Sequence, residues 1–229
     1  LVTNIDGSLQ SVMLPVYSRK QDNLGDLKSL LRKSISTSSF ILFGVLMILF
    51  LCAEPMIFII LGAQWINTVP FIQMYCIIGL LIPIETTSSQ AINAIGMSKI
   101  YFKIMTIKRS LGVLLLFLAT FFFDNVFVIV YAALVVEIIA VFIHMYFNTK
   151  ILGYVLLDFL RDVYKNVIAG ISILLFYLVY SKLLPENPYL AIIIITALSL
   201  IIYFTMLGVL KSQDLKFLQT KIQSMKLLK

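Results

Sequence analysis

Long apolar runs dominate the pattern of hydrophobic and polar positions along this chain. Six runs bounded by charged residues are close to the ~20 residues that an α-helix needs to cross a ~30 Å hydrocarbon layer. Residues 114–123 and 191–204 are apolar on every face, whereas a membrane β-strand alternates with a period of two. We therefore expect an all-α integral membrane protein, a polytopic bundle of six complete transmembrane helices plus one partial N-terminal helix. The predicted spans are 35–53, 68–95, 104–123, 126–147, 166–184 and 189–210.

Composition supports a lipid-solvated protein. The chain of 229 residues is 61% hydrophobic and 13% charged, and its mean hydropathy is +1.02. A soluble domain carries about 25% charged residues. Such a low charge content excludes an ordinary soluble fold.

The N-terminal segment resembles the end of a helix. Residues 12–17 read as a helix leaving the membrane, and the chain starts with Leu1 rather than Met. We therefore expect 1–17 to be the end of a truncated transmembrane helix. The alternative is a soluble or interfacial helix, because several of these residues are polar. They are Thr3, Asn4, Asp6, Ser8 and Gln10.

Basic residues predict the orientation of the spans. Lys and Arg are retained on the cytoplasmic side of a membrane, and alternate loops of this chain hold 17 of its 18 basic residues. The opposite loops contain Glu54, Asp124 and Glu186 with Lys182 as their basic residue. We therefore expect a multi-pass protein of the bacterial inner membrane with a cytoplasmic C-terminus. The net charge of +7 is then explained by basic residues that contact anionic lipid headgroups. No nucleic-acid partner is predicted.

This topology divides the chain into six parts. The tail has apolar residues at helical spacing, which is typical of an interfacial amphipathic helix, although a frayed polar tail is an alternative. The parts are 1–17, the truncated helix; 18–34, a basic cytoplasmic loop; 35–147, four transmembrane helices; 148–165, a cytoplasmic loop; 166–210, a trailing helix pair; and 211–229, a basic amphipathic cytoplasmic tail.

The sequence carries no recognisable catalytic motif. It has one histidine, no glycine-rich phosphate loop, no paired acidic motif in a loop, and no nucleophile context. Cys52 and Cys76 lack metal-ligand spacing. We expect no enzymatic activity, no metal and no cofactor.

Polar residues inside the second span form the clearest candidate site. Ionisable groups in a span are costly, so they face a bundle interior or a cavity. Pro83 bends the helix, and the residues after it, including Glu85, Gln90 and Asn93, fit the lining of a water-filled pathway. The alternative is that the bilayer ends near Pro83 and an ordinary cytoplasmic segment follows.

The fourth span carries a second polar stripe. Glu137 and His144 are seven residues apart and so lie on one helix face, and Asn148 continues that face. A mid-span carboxylate can carry a coupling proton or bind a cation. The alternative role is an interhelical hydrogen bond.

Cationic residues lie near the beginning of the third span. Lys108 and Arg109 are candidates for attracting an anionic headgroup, and Arg can hold a phosphate through two parallel hydrogen bonds. The alternative is positive-inside anchoring with side chains extending outward to the interface. We favour anchoring for Lys103.

Several segments together resemble a known family. Residues 15–22 read Pro-Val-Tyr-Ser-Arg-Lys-Gln-Asp, and Glu54-Pro55, Leu61-Gly62 with Trp65, Pro70-Phe71, Asn93-Ala94-Ile95-Gly96 and Lys108-Arg109 follow in order. This order and spacing resemble Wzx-type polysaccharide or O-antigen flippases of the multidrug/oligosaccharidyl-lipid/polysaccharide exporter superfamily. The resemblance covers essentially the whole chain.

The resemblance implies a transporter without bond-making chemistry. Such proteins have fourteen helices in two six-helix lobes and a trailing pair, so the spans here correspond to helices nine to fourteen. They turn undecaprenyl-pyrophosphate-linked oligosaccharides from the cytoplasmic to the periplasmic leaflet by alternating access, coupled to a cation gradient. The implied partners are that lipid-linked oligosaccharide, membrane lipids, an N-terminal lobe, and the polysaccharide polymerase and chain-length machinery.

One departure from the family limits this inference. The first lobe is missing, so we expect the fragment to be inactive alone. Rival functions are a cation-coupled small-molecule or multidrug exporter of the same superfamily, and a membrane enzyme acting on lipid-linked sugars. A purely structural membrane subunit would leave Glu85 and Glu137 unexplained.

Overall fold

The computed structural model describes residues 13–212, which are helical throughout apart from short connections. Residues 13–18 are helical, and six longer segments that follow are long and apolar enough to cross a membrane. The all-α polytopic bundle expected from the sequence is confirmed. The helices are α1 (Leu24–Ile60), α2 (Val69–Gly79), α3 (Ile82–Ala94), α4 (Ser98–Phe122), α5 (Val126–Leu152), α6 (Leu156–Tyr180) and α7 (Pro188–Val209), with 3₁₀-helices at Ala63–Thr68 and Ser181–Leu183.

The helices run further than the predicted spans. Helix α1 begins at Leu24, so most of the predicted loop 18–34 is helical, and in the predicted loop 148–165 the residues outside helices are 153–155. The physical reason is that Lys and Arg are good helix formers, so a basic stretch marks a membrane boundary without ending the helix. That these segments lie on the cytoplasmic side stays a prediction.

The second span is interrupted close to Pro83. Helix α2 ends at Gly79, and α3 begins at Ile82 with Pro83 in its first turn. Proline lacks the N–H that a continuous helix needs but fits the first turn, where that donor has no partner anyway. One turn after Pro83, the Thr87 hydroxyl donates a hydrogen bond to the Pro83 carbonyl. At the bend predicted at Pro83, the structure thus has an interruption of two residues, 80–81, between α2 and α3.

The chain forms two compact units. Within the described residues, the first comprises 13–35 and 77–162, and the second comprises 36–76 and 163–212. In the first unit α3, α4 and α5 pack against one another. This three-helix group contains the candidate residues of the second, third and fourth predicted spans.

The second unit packs aromatic rings against glycines. A Cβ added at Gly44 would lie 3.0 Å from the Tyr203 ring, and one at Gly170 would lie 3.1 Å from the Phe43 ring. The Tyr203 hydroxyl donates to the Phe40 carbonyl at 2.6 Å. Small residues allow such close approach, which is how helices associate in lipid.

Parts of two predictions fall on residues 1–12 and 213–229, which lie outside the described residues. They are the truncated N-terminal helix at 1–17 and the amphipathic tail at 211–229. For these two segments the sequence-based expectation stands as a prediction.

Candidate functional site

Three helices bring one lysine and two glutamates together. Lys108 of α4 donates to the carboxylate of Glu85 on α3 at 2.5 Å and to that of Glu137 on α5 at 2.9 Å. The three side chains are 17 to 19% exposed. We call this group the Lys108 cluster. With two carboxylates and one ammonium, it carries one more negative charge than positive when all three groups are ionised.

The Lys108 cluster ties α3, α4 and α5 to one another. Removing charges from water is expensive, and their mutual attraction repays the cost when the geometry is good. A lysine ammonium has three donors, and two of them are used here by carboxylates from different helices. The cluster therefore holds a definite arrangement of three helices, and loss of its cation would leave two carboxylates facing each other.

A second group of buried polar side chains lies beside the cluster. His144 of α5 is fully buried, and neither ring nitrogen has a hydrogen-bond partner within the described part of the chain. Glu85 and Lys108 act on it electrostatically. One turn further along α5, the Asn148 amide donates to the Ser88 hydroxyl of α3 at 2.6 Å. The stripe proposed from the spacing of α5 thus faces α3.

The remaining pathway candidates lie on α3 and α4. Gln90 is buried and Asn93 is half-buried. Arg109 is exposed and points away from its neighbour Lys108, because successive helical residues differ by about 100° in direction. It lines an open groove of about 540 Å³ with Ser110, Val113, Leu114 and Phe117. Lys108 and Arg109 therefore do not face one common site.

An ion network in the first unit was not anticipated. Arg32 of α1 forms a two-pronged pair with Asp162 of α6, with contacts of 2.7 and 3.0 Å. Lys28 reaches Asp158 at 3.1 Å and the Gly153 carbonyl at 2.6 Å. The signal was present in the sequence, because both the basic pair and the acidic pair have the four-residue spacing of one helix face.

Tyr154 completes this network from the connection between α5 and α6. Its side chain is fully buried, and its hydroxyl donates to Asp162 at 3.1 Å. Burial raises the pKa of Tyr154 well above its usual value, and the neighbouring Asp162 adds to the effect. The hydroxyl therefore stays protonated at physiological pH and remains a donor, so this network is structural rather than a switch.

Together these features define a polytopic helical membrane protein with a charged cluster held between three of its helices. Residues 1–70 match a family described as "Polysaccharide biosynthesis protein". No curated protein matches the chain.

A solved structure matches the fold. It is titled "Lipid II flippase MurJ, inward closed conformation", and the match has a TM-score of 0.70 at 17% sequence identity. The match covers 91% of this chain and 44% of that one, so the chain spans less than half the length of the flippase. This match shows that the chain shares the fold of that flippase, and the family match of residues 1–70 agrees with the resemblance to polysaccharide biosynthesis proteins found in the sequence.

Proposed function

We propose that this chain is the C-terminal half of a flippase that moves lipid-linked oligosaccharides from the cytoplasmic to the periplasmic leaflet for polysaccharide synthesis. The observation that carries the proposal is the fold shared with half of a lipid II flippase. The match of residues 1–70 to a polysaccharide biosynthesis family supports a saccharide cargo. On this proposal the protein lies in the bacterial inner membrane with its C-terminus in the cytoplasm.

The polar interior of the first unit supports transport across the bilayer. Ionisable residues within spans are costly and are typical of substrate or ion pathways. We propose that Glu85, Gln90, Asn93 and Lys108 line part of the pathway of the pyrophosphate and sugar groups. The polyprenyl tail would stay in lipid, where transfer of its many methylene groups into water is avoided.

Arg109 has a different proposed role from Lys108. It is exposed beside an open apolar groove, so an anionic headgroup would meet its guanidinium from the outside of α4 while the lipid chain lies along Val113, Leu114 and Phe117. The guanidinium fork matches phosphate oxygens in two hydrogen bonds. On this proposal, the groove beside Arg109 binds a lipid that approaches from the membrane, before its headgroup enters the pathway.

The excess negative charge of the Lys108 cluster supports coupling to a cation. We propose that Glu137 and His144 are the coupling residues, because a cation bound there would offset the unpaired carboxylate charge. The partners implied by the function are membrane lipids, an N-terminal lobe, and the polymerase and chain-length machinery that uses the flipped saccharide.

The proposal is tested in bacterial cells that lack their own polysaccharide flippase but contain the glycosyltransferases encoded near this reading frame. The complete reading frame is expressed, and surface polysaccharide and inner-leaflet lipid-linked saccharide are both measured. We expect restored surface display and a fall in retained saccharide. A Lys108→Ala variant should lose display, while Lys103→Ala, an exposed lysine on the same helix, should keep it.

Retained saccharide in cells that make and insert the protein would overturn the flippase proposal for that cargo. The same strains would then be tested for resistance to cationic drugs, because a cluster with excess negative charge also suits a cationic cargo. Drug resistance without saccharide display would favour the exporter function of the same superfamily.

A further inference from the structure

We propose that His144 is a proton-exchange site, and that protons reach it from the Asn148 end of α5 through water held between α3 and α5. The inference rests on the proposed transport function for its physiological use. Its chemistry stands on the buried groups alone, namely the unpartnered imidazole, the polar groups beside it and the Lys108 cluster.

The buried polar atoms between α3 and α5 exceed the partners that the protein supplies. Both ring nitrogens of His144, the Asn148 side-chain oxygen and the Ser89 hydroxyl are buried without a hydrogen-bond partner in the described residues. Leaving such groups buried without a hydrogen bond is energetically costly. Buried polar groups of this kind are satisfied by internal water. The geometry therefore points to a hydrated seam between the two helices.

The row of polar side chains extends from the Lys108 cluster in one direction along α5. From Glu137 through His144 to Asn148 it follows one face of α5 for about 16 Å, and Ser88 continues it on α3. In the other direction, 111–122 of α4 and 126–136 of α5 are almost wholly apolar. Thr120 is satisfied by its own helix, and Tyr131 is exposed. Along α4 and α5, the polar groups of the described residues therefore continue from the Lys108 cluster toward the Asn148 end and not toward the opposite end.

The groups at the site favour a proton over an alkali cation. Hard metal cations bind oxygen ligands, but the two carboxylates of the Lys108 cluster already hold an ammonium between them. Of the buried atoms left without partners in the described residues, the two ring nitrogens of His144 are nitrogen bases, which bind a proton rather than a hard cation. The Asn148 and Ser89 oxygens remain for water. A proton also supplies the positive charge that the cluster lacks.

The transfer is a simple exchange between bases. A hydronium ion in the seam gives its proton to one ring nitrogen of His144, leaving water and an imidazolium. The imidazolium then releases its proton to a water molecule of the seam, which passes a proton on to a carboxylate oxygen of Glu85, and the ring is neutral again. The charged groups that act on the ring electrostatically are Glu85 from α3 and Lys108 from α4, and Glu137 lies on the same helix as His144.

The test assigns to His144 the imidazole signals that a His144→Gln variant lacks, and His144 is the one histidine among these 229 residues. The protein is made with ¹⁵N-labelled histidine, placed in lipid nanodiscs, and titrated with acid while the imidazole nitrogen signals are recorded. We expect the signals to move from neutral to protonated imidazole and to exchange with water protons. Replacing potassium by sodium should leave the signals unchanged.

Charge variants beside the ring test the direction in which the titration midpoint of His144 moves. Removing a negative neighbour disfavours imidazolium, so Glu85→Gln should lower the titration midpoint by about one pH unit, whereas Lys108→Gln should raise it by about one. Glu54→Gln, a carboxylate of the second unit, should leave the midpoint unchanged. Circular dichroism of each variant identifies any that fails to fold.

Two results would overturn the inference. An imidazole that neither titrates nor exchanges with water would make His144 a sealed structural residue. Signals that respond to sodium as they do to acid would make the site an alkali-cation site. Neither readout depends on saccharide flipping, so failure of the transport assay and failure of this proposal are separate outcomes.

Discussion

At the scale of single residues, Lys108 is the side chain on which the candidate site depends. It is the cation shared by Glu85 and Glu137, and the three come from three helices. A buried ion pair adds little net stability over an apolar replacement, but breaking one by removing a single partner is strongly destabilising. The cluster should therefore tolerate loss of all its charges better than loss of its one ammonium.

We expect Lys108→Met to lower the stability of the protein by about 3 kcal/mol, because two buried carboxylates lose their counter-charge. The combined variant Lys108→Met, Glu85→Gln, Glu137→Gln should recover most of that loss. Thermal unfolding in detergent measures both, with the exposed neighbour Arg109→Met as the matched control. A triple variant as unstable as the single one would contradict this account of the cluster.

Part of the site was predictable from the sequence, and part was not. The stripe of Glu137, His144 and Asn148 follows from helical periodicity, and the structure places these residues toward α3. That Lys108 lies between Glu85 and Glu137 depends on how three helices pack, which no local pattern encodes. The separation of Lys108 from Arg109 could have been read from their adjacency, since neighbouring residues of a helix cannot share a face.

At the scale of elements, close helix packing in the second unit depends on individual glycines. The Tyr203 ring lies against Gly44, and its position is fixed by the hydrogen bond from its hydroxyl to Phe40 and by its own burial. A methyl group at Gly44 would meet a ring that has little freedom to move. Gly208, near the end of α7, has nothing within 4 Å of an added Cβ.

Gly44→Ala should therefore destabilise the protein by about 1 to 3 kcal/mol through overpacking. Gly208→Ala should be neutral or stabilising by up to about 1 kcal/mol, because alanine favours a helix more than glycine does. Thermal unfolding of the two variants under identical conditions gives the comparison. Equal melting temperatures for Gly44→Ala and the parent protein would show that the Tyr203 ring can move away from the added methyl group without loss of stability.

The existence of the elements was easier to predict than their ends. Apolar runs identified the six segments that are long enough to cross a membrane, and the interruption near Pro83 followed from the chemistry of proline. The helix ends were missed because Lys28, Arg32 and their neighbours indicate where the predicted membrane boundary lies. The helix continues beyond that boundary, so the basic residues do not mark its end. The ion network of Arg32 and Asp162 was missed for the same reason, since those segments were assigned to loops.

At the scale of the whole molecule, the distribution of basic residues predicts which side of the membrane each connection faces. Single cysteines introduced as Met97→Cys and Glu186→Cys place a thiol at exposed positions that the basic residues predict to lie on opposite sides of the membrane, and the native Cys52 and Cys76 are buried. We expect a membrane-impermeant maleimide to label Glu186→Cys in intact spheroplasts, and Met97→Cys after the membrane is opened. The reverse pattern would invert the topology.

The measurement that tests the central claim most directly is flipping in sealed vesicles. The complete reading frame is reconstituted with an undecaprenyl-pyrophosphate-linked oligosaccharide, and a lectin outside the vesicles reports how much saccharide becomes accessible with time. The account predicts accessibility that rises faster than in protein-free vesicles and that is lost in Lys108→Ala. Accessibility equal to that of protein-free vesicles, with the protein folded and inserted, would contradict the assignment of this fold to saccharide flipping.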